Sequence, residues 1–117
     1  MLFIDFYSRV HGNAVFSSIF IPKGEIVHVL RGPISTTRTK YTIEIFDNQH
    51  ILDEYGKYMN HSSTPTVMIQ NIHVVALRDI MPGEEICFDY NHSELEISCP
   101  FVDNDTGKKV VGKNLLL

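Results

Sequence analysis

Tyr58-Met59-Asn60-His61-Ser62-Ser63-Thr64-Pro65 is followed further along the chain by Gly83-Glu84-Glu85-Ile86-Cys87-Phe88-Asp89-Tyr90. The first stretch sets an amide and an imidazole side by side, ahead of a polar turn that ends in Pro. The second opens on Pro82-Gly83, runs through an apolar strand and ends in a phenol. Neither pattern decides anything alone. Their order, and the presence of Gly12-Asn13-Ala14 upstream, make them informative together.

The residues around them read as short strands. Leu2 to Tyr7, Ala14 to Ile21, Ile26 to Leu30, Lys40 to Phe46, Gln49 to Leu52, Val67 to Gln70, His73 to Leu77 and Glu85 to Asp89 are rich in β-branched and aromatic residues. Within Lys40–Phe46, Tyr41, Ile43 and Ile45 fall on one face and Thr42, Glu44 and Phe46 on the other. Pro22-Lys23-Gly24, Arg31-Gly32-Pro33, Asp47-Asn48, Gln70-Asn71-Ile72 and Pro82-Gly83 supply the turns. Asp53 to Met59 is the one place for a helical turn, weakened by Gly56. Ile21-Pro22-Lys23-Gly24-Glu25-Ile26 is echoed by Ile80-Met81-Pro82-Gly83-Glu84-Glu85-Ile86. The echo reads as two β-turns using the same chemistry, being too short for a repeat. The class is mainly β.

Bulk properties narrow the field. A chain of 117 residues reads as one domain, 1–117. No apolar run approaches a bilayer span, and Asp5 interrupts the apolar start, so a soluble, intracellular domain without secretory signal is expected. A net charge of −4 disfavours nonspecific nucleic-acid binding and suits a basic peptide. Cys87 reads as a small buried hydrophobe. Together with Cys99 it leaves a single disulfide open but makes no four-cysteine zinc site. The six histidines, His11, His28, His50, His61, His73 and His92, have no metal-ligand spacing, so no metal is expected. Glu84 and Glu85 flank a turn and face opposite ways, which argues against a general-acid pair.

From Gly12 to Gly112 the chain resembles the SET domain family, whose members transfer methyl groups from S-adenosylmethionine to lysine side chains of proteins. The resemblance implies a SET-type β-clip of several small sheets, with the Asn-His and terminal Tyr segments packed in a knot-like arrangement. It divides the domain into a core, 1–90, and a C-terminal segment, 91–117. It implies that Tyr90 lines the methyl-transfer pore, that Tyr41 lines the lysine channel, and that Phe88 influences how many methyl groups are added. Phe88 lacks a hydroxyl and leaves room for di- or trimethylation. Cofactor contacts are implied for Gly12, Asn13, Ala14, Tyr58, Asn60, His61, Tyr90 and Phe101.

The chemistry suits these types. Methyl transfer from a sulfonium is an in-line displacement needing a neutral amine held on axis. A Tyr ring makes an apolar wall with a face that favours cations, and its hydroxyl orients the amine.

Several positions depart from the family pattern. Lys57, Ser63 and Thr66 replace a common Arg, Cys and Asn, and Ala14 stands where a second Gly is usual. Ala there requires ordinary dihedrals or costs cofactor affinity. Asp89-Tyr90-Asn91-His92-Ser93-Glu94-Leu95-Glu96, with Pro100-Phe101, Gly107 and Gly112, resembles the run into a post-SET zinc cluster, yet no cysteine follows Cys99. Closure would then fall to apolar packing by Phe101, Val110 or Val111. The implied partner is a lysine-bearing protein or peptide such as a histone tail. Dimerisation would compensate for the missing zinc staple. Two other readings stand beside the enzyme: a catalytically inactive SET-like binding module, and a β-clip assembly subunit using Leu115-Leu116-Leu117 as an interface.

Overall fold

The computed structural model describes residues 1–8, 12–94, 101–102, 106, 109–110 and 112. Among the described residues twelve short strands, one 3₁₀ turn and one short helix follow in order. The strands are β1 (Leu2–Ser8), β2 (Gly12–Ser17), β3 (Ile26–Val29), β4 (Ile34–Ser35), β5 (Ile43–Phe46) and β6 (Gln49–Ile51). After the 3₁₀ turn Gly56–Tyr58 come β7 (Asn60–His61), β8 (Val67–Gln70), β9 (His73–Ala76) and β10 (Cys87–Phe88). Helix α1 (Tyr90–Ser93) precedes β11 (Phe101–Val102) and β12 (Lys109–Val110).

The strands form five small sheets. β3-β9-β8 and β4-β6-β5 are three-stranded, and β1-β2, β11-β12 and β10-β7 are pairs. Among the described residues only β7 and β10 run parallel, with Asn60 opposite Cys87 and His61 opposite Phe88. A parallel pair needs a long connection. Here the connection is the β8-β9 hairpin and the turn after it, which carry the chain back so that the two diagnostic stretches lie side by side.

Each expected strand is present: Val67–Gln70 keeps both its ends, Leu2–Tyr7 gains Ser8, Ala14–Ile21 shifts to Gly12–Ser17, and the others are shortened. The largest departure is at Lys40–Phe46. The strand starts at Ile43, because Thr39 and Thr42 lock a turn ahead of it. The Thr39 amide donates to Thr42 Oγ1 at 2.9 Å, and Thr42 Oγ1 donates to the Thr39 carbonyl at 3.0 Å. Lys40 and Tyr41 lie in that turn. Strict alternation fails too. Ile43, Glu44 and Ile45 are all buried, and the register shifts between Glu44 and Phe46. The Asp53–Met59 expectation reduces to the 3₁₀ turn.

The echoed turns pair with each other. Ile21 and Ile80 exchange backbone hydrogen bonds of 2.9 and 2.8 Å. Gly24 and Gly83 occupy the same left-handed conformation, φ +89° and +87°, which a side chain would strain. Shared turn chemistry thus becomes a shared structural task, clasping β3 to the run that leads into β10.

The core gathers Val15, Leu30, Ile43, Ile51, Met59, Val67, Val74, Ile80, Ile86 and Phe88 from four of the sheets. Cys87 is buried, as its apolar setting predicts; Cys99 lies outside the described residues. Among the described residues no helix is long and apolar enough to cross a membrane, and no group of three or more His, Cys, Asp or Glu could hold a metal ion.

Candidate active site

The β7–β10 crossing brings the two stretches into contact. Thr66 stitches it: its Oγ1 accepts from the Cys87 amide at 3.0 Å and donates to the Glu85 carbonyl at 2.8 Å. Beside it runs β2. The Ile86 amide donates to the Val15 carbonyl at 2.7 Å, and the Ser17 amide to the Glu84 carbonyl at 3.0 Å. Gly12, Asn13 and Ala14 therefore lie on the strand that flanks the crossing.

Tyr90 opens α1, whose first turn is capped by the Asp89 carboxylate accepting from the Asn91 amide. Its phenol donates to the Met59 carbonyl at 2.5 Å, and its backbone amide donates to His61 Nδ1 at 3.1 Å. That bond assigns His61 the tautomer with its proton on Nε2. The 3.7 Å approach of Nδ1 to Asp89 would need a proton on the same nitrogen, so it is secondary. The Phe88 and Tyr90 rings lie 4.8 Å apart and His61 stacks edge-on against Tyr90 at 5.2 Å. Phe88 and Tyr90 do not share a strand face although they stand two residues apart, since β10 ends at Phe88; the rings meet because the chain turns into α1.

Burial raises the Tyr90 phenol well above its usual pKa, and the nearby charges of Glu94 and Glu85 push the same way. The phenol stays protonated throughout the neutral range, which makes it a donor and a wall and rules it out as a base.

The remaining residues form a second group. Tyr41 and Tyr58 meet edge-on at 6.5 Å, and Lys57 sits over the Tyr58 ring at 5.1 Å. Tyr41 is 44% exposed, whereas Phe88 is buried. The Phe101 backbone pairs with Val110; its side chain and Val111 lie outside the described residues. Val110 is fully buried, and Asn91 ties the last segment down by donating to the Lys109 carbonyl and accepting from the Gly112 amide, each at 3.0 Å.

The site fits an adenosyl amino-acid cofactor on two observations. Gly12 has φ +67° with nothing within 4 Å of where a Cβ would stand, so its backbone is open to close approach. Ala14 is fully buried and is not among the positive-φ residues, so the missing second glycine imposes no strain.

Two polar features were not legible in the sequence. Asn60 Nδ2 donates to Glu85 Oε2 at 3.0 Å, while Glu84 turns away to Arg78 at 2.9 Å and to the Met81 amide at 2.7 Å. The opposed faces of this pair agree with its exclusion as an acid pair. Glu94, buried, accepts from the Glu44 amide at 2.7 Å and ties α1 to β5. Alternation of apolar and polar types marks neither one. Next to β5 a cleft of about 440 Å³ is lined by Glu44, Asp47, Gln70 and His92. A smaller apolar cavity of about 180 Å³ reaches Phe88 and Asp89.

A model of the SET domain matches residues 12–91. The chain belongs to the SET domain family. The match spans β2 to α1, so both halves of the β7–β10 crossing fall within the shared SET unit. The chain is 33% identical over 63 residues to the Caenorhabditis elegans protein "Probable histone-lysine N-methyltransferase set-23", covering 46% of this chain and 26% of that one. It thus spans about a quarter of that relative's length. Among solved structures it is similar to a candidate histone methyltransferase of Plasmodium falciparum, with TM-score 0.61 and 26% identity over 80% of this chain and 99% of that one. KRYPTONITE, solved in complex with mCHH DNA, an H3(1–15) peptide and SAH, shares the SET fold at TM-score 0.63 and 23% identity, covering 76% of this chain and 23% of that one.

Proposed function

We propose that this SET domain is a protein-lysine N-methyltransferase that uses S-adenosylmethionine. The observation that carries the reading is the Tyr90 phenol bonded to the Met59 carbonyl, one residue from Asn60, across a parallel pair that sets Asn60 opposite Cys87. The cofactor, when bound, supplies an electrophilic methyl group on a sulfonium. Gly12, Asn13 and Ala14 lend it backbone, Asn60 and His61 hold it, and Tyr58 and Phe101 border it.

Tyr90 and Phe88 form the apolar wall along which a lysine side chain enters, with Tyr41 at the outer rim. The phenol hydrogen is committed to Met59, which turns the oxygen of the same group into the acceptor that an incoming amine would meet. Exclusion of water by these rings keeps that amine neutral. A neutral amine held along this wall by Tyr90 would be placed in line with the methyl group that a bound cofactor would supply, and its surplus proton would pass to solvent without a protein base. Phe88 leaves room for more than one methyl group.

The substrate that suits this surface is an extended basic peptide such as a histone tail. Asp47 lines the neighbouring cleft and favours a cationic side chain, while Glu44 in the same lining is already paired with Arg38 at 3.2 Å. The alternative of an inactive module draws on Ala14, the missing zinc ligands and the altered neighbourhood of Asn60; the ordinary dihedrals of Ala14 weaken the first of these and leave the other two.

The test is incubation with methyl-labelled cofactor and a panel of basic peptides, with label mapped to lysine by mass spectrometry. Cofactor binding without transfer to any peptide would leave a binding module. Asn60→Ala is expected to weaken cofactor binding by about 10-fold in calorimetry, the loss of one charge-assisted hydrogen bond; unchanged affinity removes Asn60 from the site.

A further inference from the structure

The bond between Asn60 and Glu85 determines more than local packing. A carboxylate oxygen only accepts, so the 3.0 Å contact with Glu85 Oε2 fixes which end of the Asn60 amide is nitrogen. Oδ1 therefore points away from Glu85, and no donor among the described residues bonds it. Glu85 is itself anchored. Its backbone bridges to Phe16 on β2 and its carbonyl accepts from Thr66 Oγ1 at 2.8 Å. One side chain thus links the β2 strand, the crossing and Asn60. Lys57 does not neutralise this carboxylate; it rests over the Tyr58 ring.

We propose that Glu85 is a positioning residue for the cofactor, holding the Asn60 amide so that Oδ1 faces the α-ammonium of the cofactor's amino-acid end. The inference rests on the methyltransferase reading above. An amide turned the other way would offer its own N–H groups to a cation. A correctly turned one offers an acceptor, and the Glu85 charge behind it polarises the amide in the favourable sense.

Two ligands separate this role from a purely structural one. S-adenosylhomocysteine carries the amino-acid end; 5′-methylthioadenosine carries the adenosine and sulfur without it. Glu85→Gln has the same shape but donates as readily as it accepts, so both amide orientations become available. Calorimetry on the full chain is expected to show Glu85→Gln binding S-adenosylhomocysteine about 10-fold more weakly and 5′-methylthioadenosine with unchanged affinity. Glu85→Asp, which keeps a carboxylate, is expected between wild type and Glu85→Gln for the first ligand and equal to both for the second. Undiminished S-adenosylhomocysteine affinity in Glu85→Gln, or an equal loss for both ligands in a variant that melts like wild type, would overturn the proposal while leaving the methyltransferase reading in place. A wild-type chain that bound neither ligand would overturn both.

Discussion

At the scale of single residues, Tyr90 shows how one hydrogen bond separates orientation from proton transfer. Its hydroxyl hydrogen is held by the Met59 carbonyl, and burial works against loss of that hydrogen. Tyr90→Phe keeps the ring and its contacts with Phe88 and His61, and removes only the group that orients the amine. Steady-state assays are expected to show turnover reduced by about 10²-fold, the low end of what a positioned polar group contributes. Thermal melts should register the lost bond as about 1 kcal/mol. Because the folded-state pKa is raised, the phenol's share of stability is complete below its unfolded value of 10.0 and is lost as pH climbs beyond that. The rate profile should accordingly carry no Tyr90 ionisation in the neutral range. The resemblance marked Tyr90 and Asn60 in the sequence. It could not mark Met59, whose backbone carbonyl does the work, or Glu85, whose meaning depends on a partner far away in the chain.

Among the elements, the 3₁₀ turn Gly56–Tyr58 aims the chain into β7 and is held by Asp53. That carboxylate accepts from the amides of Arg31, Tyr55 and Gly56 at 2.8, 2.9 and 2.7 Å, and both its oxygens reach His28 Nε2. Burial alone would raise its pKa. The hydrogen bonds from His28, Arg31 and Gly56 outweigh that and bring it from 3.8 down to about 2. A depressed carboxylate stabilises the fold above its unfolded pKa and ceases to do so as pH falls through the folded one. The drop corresponds to about 2 kcal/mol at neutral pH. Asp53→Asn is expected to lose that amount in denaturant melts at pH 7, with the gap to wild type closing as pH falls from 4 towards 2. A constant gap would mean that packing rather than charge is responsible. The sequence suggested a helical turn here but gave no hint of its anchor, which reaches β3. The same limit applies to Tyr41. A period of two was legible, but the side-chain bonds between Thr39 and Thr42 that end the strand early were not.

For the molecule as a whole, the site exists because two short strands far apart in sequence pair in parallel. Neither β7 nor β10 buries enough by itself to form alone. Their register is fixed by what surrounds them: β2 on one side, Thr66 within the crossing, and the clasped Ile21 and Ile80 turns beneath. Mainly-β character was legible because turns and β-branched runs are local signals. The crossing was not derivable from them, because nothing local encodes which strands become neighbours; only the family resemblance supplied it. Thr66 is buried, and its hydroxyl joins the Cys87 amide to the Glu85 carbonyl. Thr66→Val keeps the shape and leaves that amide without its partner, at a cost of about 1–3 kcal/mol. For a chain of this size, melting should fall by about 4 °C for each kcal/mol. Since the same hydroxyl anchors the backbone of Glu85, the variant is also expected to lose affinity for S-adenosylhomocysteine at temperatures where it remains fully folded. A melting shift with undiminished affinity would show that the crossing holds the domain together without shaping the cofactor site.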